Sequence, residues 1–146
     1  MIRFAKRSDR AQLLHLVRQY YKLDSIAFDA RIIRRALTRL LNDHELGRAW
    51  VIDVGNVLVG YVVLTYNYDL EFGGIEGIVT ELFVAARYRS RGLGAQLIDE
   101  VRRFCLREGI STVELQVSRD NRRARTFYRR LGFKAADRIV MSLKIS

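Results

Sequence analysis

Residues 79–95 read Val-Thr-Glu-Leu-Phe-Val-Ala-Ala-Arg-Tyr-Arg-Ser-Arg-Gly-Leu-Gly-Ala, and no other stretch restricts the fold as strongly. The apolar run from Val79 to Val84 is strand-like and holds one carboxylate, Glu81. A short basic loop, Arg87 to Arg91, follows, and Gly92 and Gly94 open a helix. A helix start presents backbone N–H groups without partners and the positive end of the dipole, so it draws anions. Glycine there removes the Cβ that would keep a ligand away from the backbone. Arg89 and Arg91 add guanidinium forks suited to phosphate oxygens. The segment therefore predicts a phosphate-bearing ligand beside a strand that carries a possible base.

Two common phosphate loops do not fit. The dinucleotide fingerprint needs a third glycine where Leu97 stands. A P-loop needs Gly-Lys-Ser/Thr, and the chain has Gly94-Ala95-Gln96. What fits is Arg-x-x-Gly-x-Gly, written Arg89-Ser90-Arg91-Gly92-Leu93-Gly94. This resembles the acetyl-CoA loop of the GCN5-related N-acetyltransferases, the GNAT family.

A second segment supports the resemblance. Residues 117–133 contain Asp120-Asn121, a good helix N-cap. Ala124, Phe127, Tyr128 and Leu131 follow at i, i+3, i+4 and i+7, one apolar stripe. Gly132 is placed to end that helix in the left-handed conformation. The pattern is similar to the family's Asn-x-x-Ala-x-x-Phe-Tyr followed by Leu-Gly-Phe. The likeness runs well from about Trp50 to the C-terminus and only in outline before it.

The resemblance implies a fold and a set of roles. The fold is α/β: a mixed, mostly antiparallel central sheet with two splayed central parallel strands and helices on both faces. The splayed strands would be Ile78 to Val84 and Thr112 to Val117, with the pantetheine arm lying between them. Acetyl-CoA is the implied co-substrate. Its implied contacts are Leu82, Phe83 and Val84 on the strand, the loop Arg89, Ser90, Arg91, Gly92, Leu93, Gly94 and Ala95, and Asn121 and Tyr128 on the later helix. Tyr128 matches the family's general acid, and a tyrosine with an ordinary pKa of about 10 carries a proton at neutral pH. Its alternative is a core tyrosine on the apolar stripe. Glu81 matches a carboxylate that takes the amine's proton, often through water. Its alternatives are a solvent-side carboxylate or one that only orients the ammonium. Tyr66, Asp69 and Glu71, with Tyr68, Phe72 and Glu76, lie where relatives shape the acceptor site. Acid among aromatics suits a cation, and an acidic loop without substrate duty explains the same residues.

Composition sets the remaining bounds. A chain of 146 residues with 49% hydrophobic and 29% charged residues suits a single globular domain, residues 1–146. No apolar run approaches the ~20 residues of a membrane span, and Met1 to Arg7 lacks a signal-peptide core. A lone cysteine, Cys105, excludes an internal disulfide and agrees with a cytoplasmic setting. Its helical spacing from Val101 and Leu97 reads as a small buried hydrophobe. His15 and His44 have no partner at metal-ligand spacing, so no metal is expected. The net charge of +10 favours anionic ligands. Because the basic residues are spread over several segments without a base-reading motif, nucleic acid is not an expected partner. A homodimer is compatible with the chain.

Along the chain, Ile2 to Ala5 is a first edge strand. Ser8 offers an N-cap to a helix in which Leu13, Leu14, Leu16, Val17, Tyr20 and Tyr21 follow with helical spacing. Asp29 caps a second helix. Trp50 to Val54 and Val57 to Tyr66 form a hairpin turned at Gly55-Asn56. The helix after Gly92 ends near Gly109, a strand covers Thr112 to Val117, and Arg138 to Ile145 closes the sheet. The function expected is acetyl transfer from acetyl-CoA to a primary amine on a small molecule, a protein lysine or an N-terminus. A longer acyl-CoA is the enzymatic alternative. A CoA-binding regulatory module without turnover and a basic RNA- or ribosome-associated protein are the alternatives from other classes.

Overall fold

The computed structural model describes residues 1–146, which divide into two compact units, Met1–Gln116 and Val117–Ser146. The first unit contains strand β1 (Ile2–Phe4), helices α1 (Arg10–Leu23) and α2 (Ala30–Asn42), and strands β2 (Gly47–Val54), β3 (Val57–Asp69) and β4 (Gly74–Val84). Helix α3 (Leu93–Glu108) and strand β5 (Val113–Leu115) complete it. The strands lie in sequence order in one sheet. Three pairings are antiparallel, and β4 with β5 is parallel. This is the expected mixed, mostly antiparallel sheet.

Strand alternation explains the two layers of core. Val51, Tyr61, Val63 and Phe83 join Leu13, Leu16 and Val17 of α1 and Leu37 of α2 in one cluster. Trp50 belongs to the other face, where its ring lies 5.4 Å from that of Phe104 in α3. Leu97, Ile98, Val101 and Cys105 of α3 are buried there. Burial pushes the Cys105 thiol pKa up, so this sulfur is a poor nucleophile.

The caps agree with the sequence in part. Asp29 accepts from the N–H groups of Arg31 (2.9 Å) and Ile32 (3.3 Å) and starts α2. At α1 the expected Ser8 cap gives way to a 3₁₀ turn over Arg7–Asp9, and the helix begins at Arg10. Asp9 is drawn instead into an ion cluster. Arg3 of β1 donates to Asp9 (2.8 and 3.0 Å) and to Asp53 (3.1 and 3.0 Å). The Arg3 hydrogen bond is the largest reason that the Asp9 carboxyl sits below its usual pKa, with burial opposing it. Arg3→Met leaves the buried Asp9 its bond from the Lys6 N–H (2.7 Å) but no guanidinium, so we expect a loss of about 3 kcal/mol in denaturant unfolding at neutral pH. A depressed carboxyl contributes stability above its unfolded pKa, near 3.8, and loses it as pH falls through the folded value. The gap between wild type and variant should therefore narrow below about pH 4.

Two irregularities of β4 position the site. Val63 pairs with Glu81 while its neighbour Leu64 pairs with Val79, so Thr80 is an extra residue, a β-bulge. Glu81 and Phe83 consequently face the α1 layer, as expected for that pair, whereas Val79 and Gly77 face α3. The ladder with β5 runs only from Gly77 to Val79. Beyond it, Thr80 to Val84 have no strand neighbour on that side, which is the form the expected splay takes.

The second unit begins its helix α4 (Arg122–Arg130) at Asn121, whose side chain accepts from the Ala124 N–H at 3.0 Å. Gly132 has φ of 101°, and the N–H groups of Gly132 and Phe133 return to the carbonyls of Arg129 and Tyr128. This is the left-handed helix ending predicted for Gly132. The expected strand from Arg138 to Ile145 does not form. Residues 138–145 adopt no strand, and Ile139, Met141, Leu143 and Ile145 are exposed. Their alternation marks one apolar face, but alternation alone makes no strand where no hydrogen-bonding neighbour is present.

Candidate active site

The site starts where β4 leaves the sheet. Strand β4 ends at Val84, a 3₁₀ turn covers Ala86–Tyr88, and Ser90 and Gly92 take positive φ of 62° and 77°. Gly92 is the N-cap of α3 and has no side chain to satisfy the first turn. The first bond of the helix runs from the Gln96 N–H to the Gly92 carbonyl at 3.1 Å. The N–H groups of Leu93, Gly94 and Ala95 thus precede any intrahelical acceptor. No acidic residue stands in that turn to occupy the positive end of the dipole. A Cβ built on Gly92 would meet no atom within 4 Å, so the space before the helix start is open.

The two arginines of the motif are used differently. Arg89 donates from Nε to the Val84 carbonyl at 2.8 Å, and its guanidinium stacks 5.4 Å from the Phe83 ring centre. It ties the loop to the end of β4. Arg91 lies over the Tyr88 ring at 5.3 Å. With the unpaired edge of β4 at Leu82, Phe83 and Val84, this arrangement fits a long ligand with a pyrophosphate at one end and an amide chain along the strand.

Glu81 is more constrained than a strand carboxylate on a solvent face. Its Oε2 accepts from the Tyr21 hydroxyl at 2.5 Å, and its Oε1 accepts from the Tyr61 hydroxyl at 2.7 Å. Burial is the first cause that raises both tyrosine pKa values, and the Glu81 charge adds to it. Both hydroxyls remain protonated donors through the neutral range. The rings of Tyr21 and Tyr61 belong to a cluster with Tyr20, Phe28 and Phe83, packed against one another at centroid spacings of 5.6 to 6.3 Å. Each oxygen keeps lone-pair capacity after one tyrosine bond. The result is a carboxylate fixed in place that can still accept from a water or an ammonium. The sequence singles out neither Tyr21 nor Tyr61, because their helical and strand spacing marks them only as core.

The expected acceptor residues separate. Tyr66 pairs with Gly77, whose side faces Cys105 of α3, so Tyr66 lies on the face opposite Glu81. Asp69 spends one oxygen on the Glu71 N–H at 2.9 Å, capping a short turn over Leu70–Phe72. Glu76, by contrast, is buried on the Glu81 face. Its Oε1 accepts from Asn67 at 2.8 Å, and its Oε2 has no partner.

In the second unit, Asn121 uses its side-chain oxygen as the α4 cap, which leaves its NH₂ group as a donor. Tyr128 sits about two turns further on, with ring contacts to Phe127 at 5.2 Å and Phe133 at 5.6 Å. These hold the ring whatever its hydroxyl does.

Comparison with known proteins agrees with this geometry. The profile of the Acetyltransferase (GNAT) family matches residues 11–133. The thialysine N-epsilon-acetyltransferase of Bos taurus is 26% identical over 141 residues, 90% of this chain and 82% of its own. The crystal structure of an integron cassette protein, HFX_CASS3, from the mobile metagenome of Cole Harbour Salt Marsh is 30% identical. It superposes with a TM-score of 0.88 over 99% of this chain and 90% of that one. The aminoglycoside N-acetyltransferase AAC(6')-Iy, solved with CoA, shares the fold at a TM-score of 0.87 and 18% identity, covering 100% of this chain and 95% of that one. The chain belongs to the GNAT family of N-acetyltransferases, acyltransferases that use acetyl-CoA as co-substrate.

Proposed function

We propose that this enzyme acetylates a primary amine by direct attack within a ternary complex, with Glu81 and Tyr128 handling the protons. The observation that carries the reading is the Glu81 carboxylate, held by two tyrosine hydroxyls on the strand that runs into the α3 anion site. Bound acetyl-CoA supplies the acetyl group as an activated thioester. Backbone N–H groups from Arg91 to Ala95, with the charge of Arg91, hold its pyrophosphate. The free N–H near Phe83 or Val84 donates to the carbonyl oxygen as that oxygen gains charge. Glu81 draws the ammonium in and takes its proton through a water, so that the nitrogen is neutral when it attacks. Tyr128 gives its hydroxyl proton to the sulfur as the C–S bond breaks. The Asn121 NH₂ group adds a contact to the cofactor.

The acceptor is a cation at neutral pH. Buried Glu76, with a free oxygen on the same face as Glu81, supports a positively charged acceptor, as does the aromatic wall around Glu81. The relative named for thialysine acts on a terminal amine, which agrees with a primary amine here. Asp69 and Glu71 border that approach, whereas Tyr66 supports it from the other face of the strand. The lone buried thiol and a thiol product both suit a reducing, cytoplasmic setting. Nothing in the fold favours a module without turnover.

The test is Glu81→Gln, assayed by thiol release with a panel of amines. We expect kcat/KM to fall about tenfold near pH 7, less than a direct general base supplies, because both oxygens are already engaged by tyrosine. The deficit should shrink at high pH, where more of the free amine is neutral. A deficit of constant size across pH means that Glu81 orients the substrate. No deficit removes it from the reaction.

A further inference from the structure

The sequence spreads its basic residues over several segments, but folding gathers five of them. Arg10 at the start of α1 and Arg31, Arg34, Arg35 and Arg39 of α2 line an open basin of about 500 Å³, joined only by Thr38. None of these five arginines lies within 4.0 Å of a carboxylate. Helix α2 contains no Asp or Glu.

That arrangement is costly by itself. Arg31 with Arg34, Arg31 with Arg35 and Arg35 with Arg39 are like charges at i,i+3 and i,i+4 spacing, which destabilise a helix. Arg31 also stands in the first turn, against the positive end of the dipole. The basin is nevertheless built with some order. Arg10 donates to the Thr38 hydroxyl at 3.0 Å, and that hydroxyl donates to the Arg34 carbonyl at 2.8 Å, which ties α1 to the arginine face of α2. Five guanidiniums held together without a carboxylate partner are complementary to several negative charges in series.

The lining decides which polyanion. An acidic protein partner needs an apolar anchor at the centre of its contact, and the basin offers none. Single-stranded nucleic acid needs aromatic rings on which bases stack, and the basin has no ring. Guanidinium forks on their own match phosphate oxygens. Arg31 to Arg39 spans about 12 Å of helix, the axial length of roughly three phosphates on one strand of a duplex. We propose that the arginine basin between α1 and α2 docks the phosphodiester backbone of duplex nucleic acid, without reading its sequence.

The experiment is fluorescence anisotropy with a labelled mixed-sequence DNA duplex of about 20 base pairs, titrated from about 50 to 200 mM NaCl. The intact protein is compared with Arg34→Ala/Arg35→Ala and with a control of equal charge, Lys22→Ala/Arg107→Ala, whose exposed sites lie outside the basin. Wild type and control should bind alike. The basin variant should bind at least tenfold more weakly at about 100 mM salt, and its log K against log salt slope should be shallower by about 1.8, two phosphate contacts. Alanine is the best helix former and removes like-charge pairs, so the variant's thermal midpoint should not fall and its acetyl-CoA affinity should be that of wild type. No binding by the wild type at about 50 mM salt overturns the proposal. Equal losses in basin and control variants overturn it too, as does tighter binding to the single strand. Retention on phosphatidylserine vesicles through the same arginines, without duplex binding, overturns it in favour of a membrane surface.

Discussion

In the Gly92→Asp variant, acetyl-CoA affinity measured by calorimetry is expected to fall by at least about 100-fold, some 3 kcal/mol. Two effects add. A carboxylate at the helix start faces the pyrophosphate, and like charges about 4 Å apart near a protein surface repel by several kcal/mol. A side chain at φ of 77° also adds about 1–2 kcal/mol of strain. The fold should survive the change, because a Cβ at this position meets no protein atom within 4 Å. Acidic side chains are otherwise welcome at a helix start. The strain lowers the thermal midpoint alike in Gly92→Asp and Gly92→Ala, so a loss of binding peculiar to Gly92→Asp reports the ligand and not the scaffold. Gly92→Ala separates the parts, since it carries the strain without the charge and should retain most of the affinity. Unchanged affinity in Gly92→Asp would place the cofactor elsewhere.

For Tyr128→Phe we expect kcat to drop about 100-fold with little change in acetyl-CoA affinity, the effect of removing a positioned acid. The ring contacts with Phe127 and Phe133 are kept by phenylalanine, so the packing of the ring is preserved. The loss should be largest for substrates whose rate is limited by departure of the sulfur. A kcat within twofold of wild type would make Tyr128 a packing residue of α4 and nothing more.

How much of this was legible in the sequence follows from how local each feature is. The α3 entry needs only Gly92 and the turn before it, and the α4 cap and ending need only Asn121 and Gly132. All lie within a few residues of what they control, so spacing reveals them. The Glu81 clamp joins residues 60 and 20 positions apart. Tyr21 and Tyr61 carry patterns that any buried helix or strand residue would show, and nothing in either pattern says where the hydroxyl ends. The arginines of the basin from Arg31 to Arg39 are a basic run plain in the sequence, and only Arg10 is hidden in the same way, since it reaches Thr38 from 28 residues away. Residues 138–145 illustrate the reverse error. Their alternation is a real property of the chain, but pairing depends on a neighbour that no local pattern supplies.

The extra residue at Thr80 has a consequence for how this protein can change. Strand β4 serves two layers with one chain, and the bulge lets each half keep its own phase: Glu76 and Ile78 before it share a side with Glu81 and Phe83 after it, while Gly77 and Val79 look the other way. Plain alternation would give Glu81 to the same side as Val79. Deleting a single residue here would therefore turn either the Glu81 carboxylate or the hydrophobic contacts of α3 to the wrong side, whatever amino acids remained. The chemistry of this enzyme depends on a count of residues as much as on their identity. Length changes between Leu70 and Gly73, in an exposed turn, carry no such penalty.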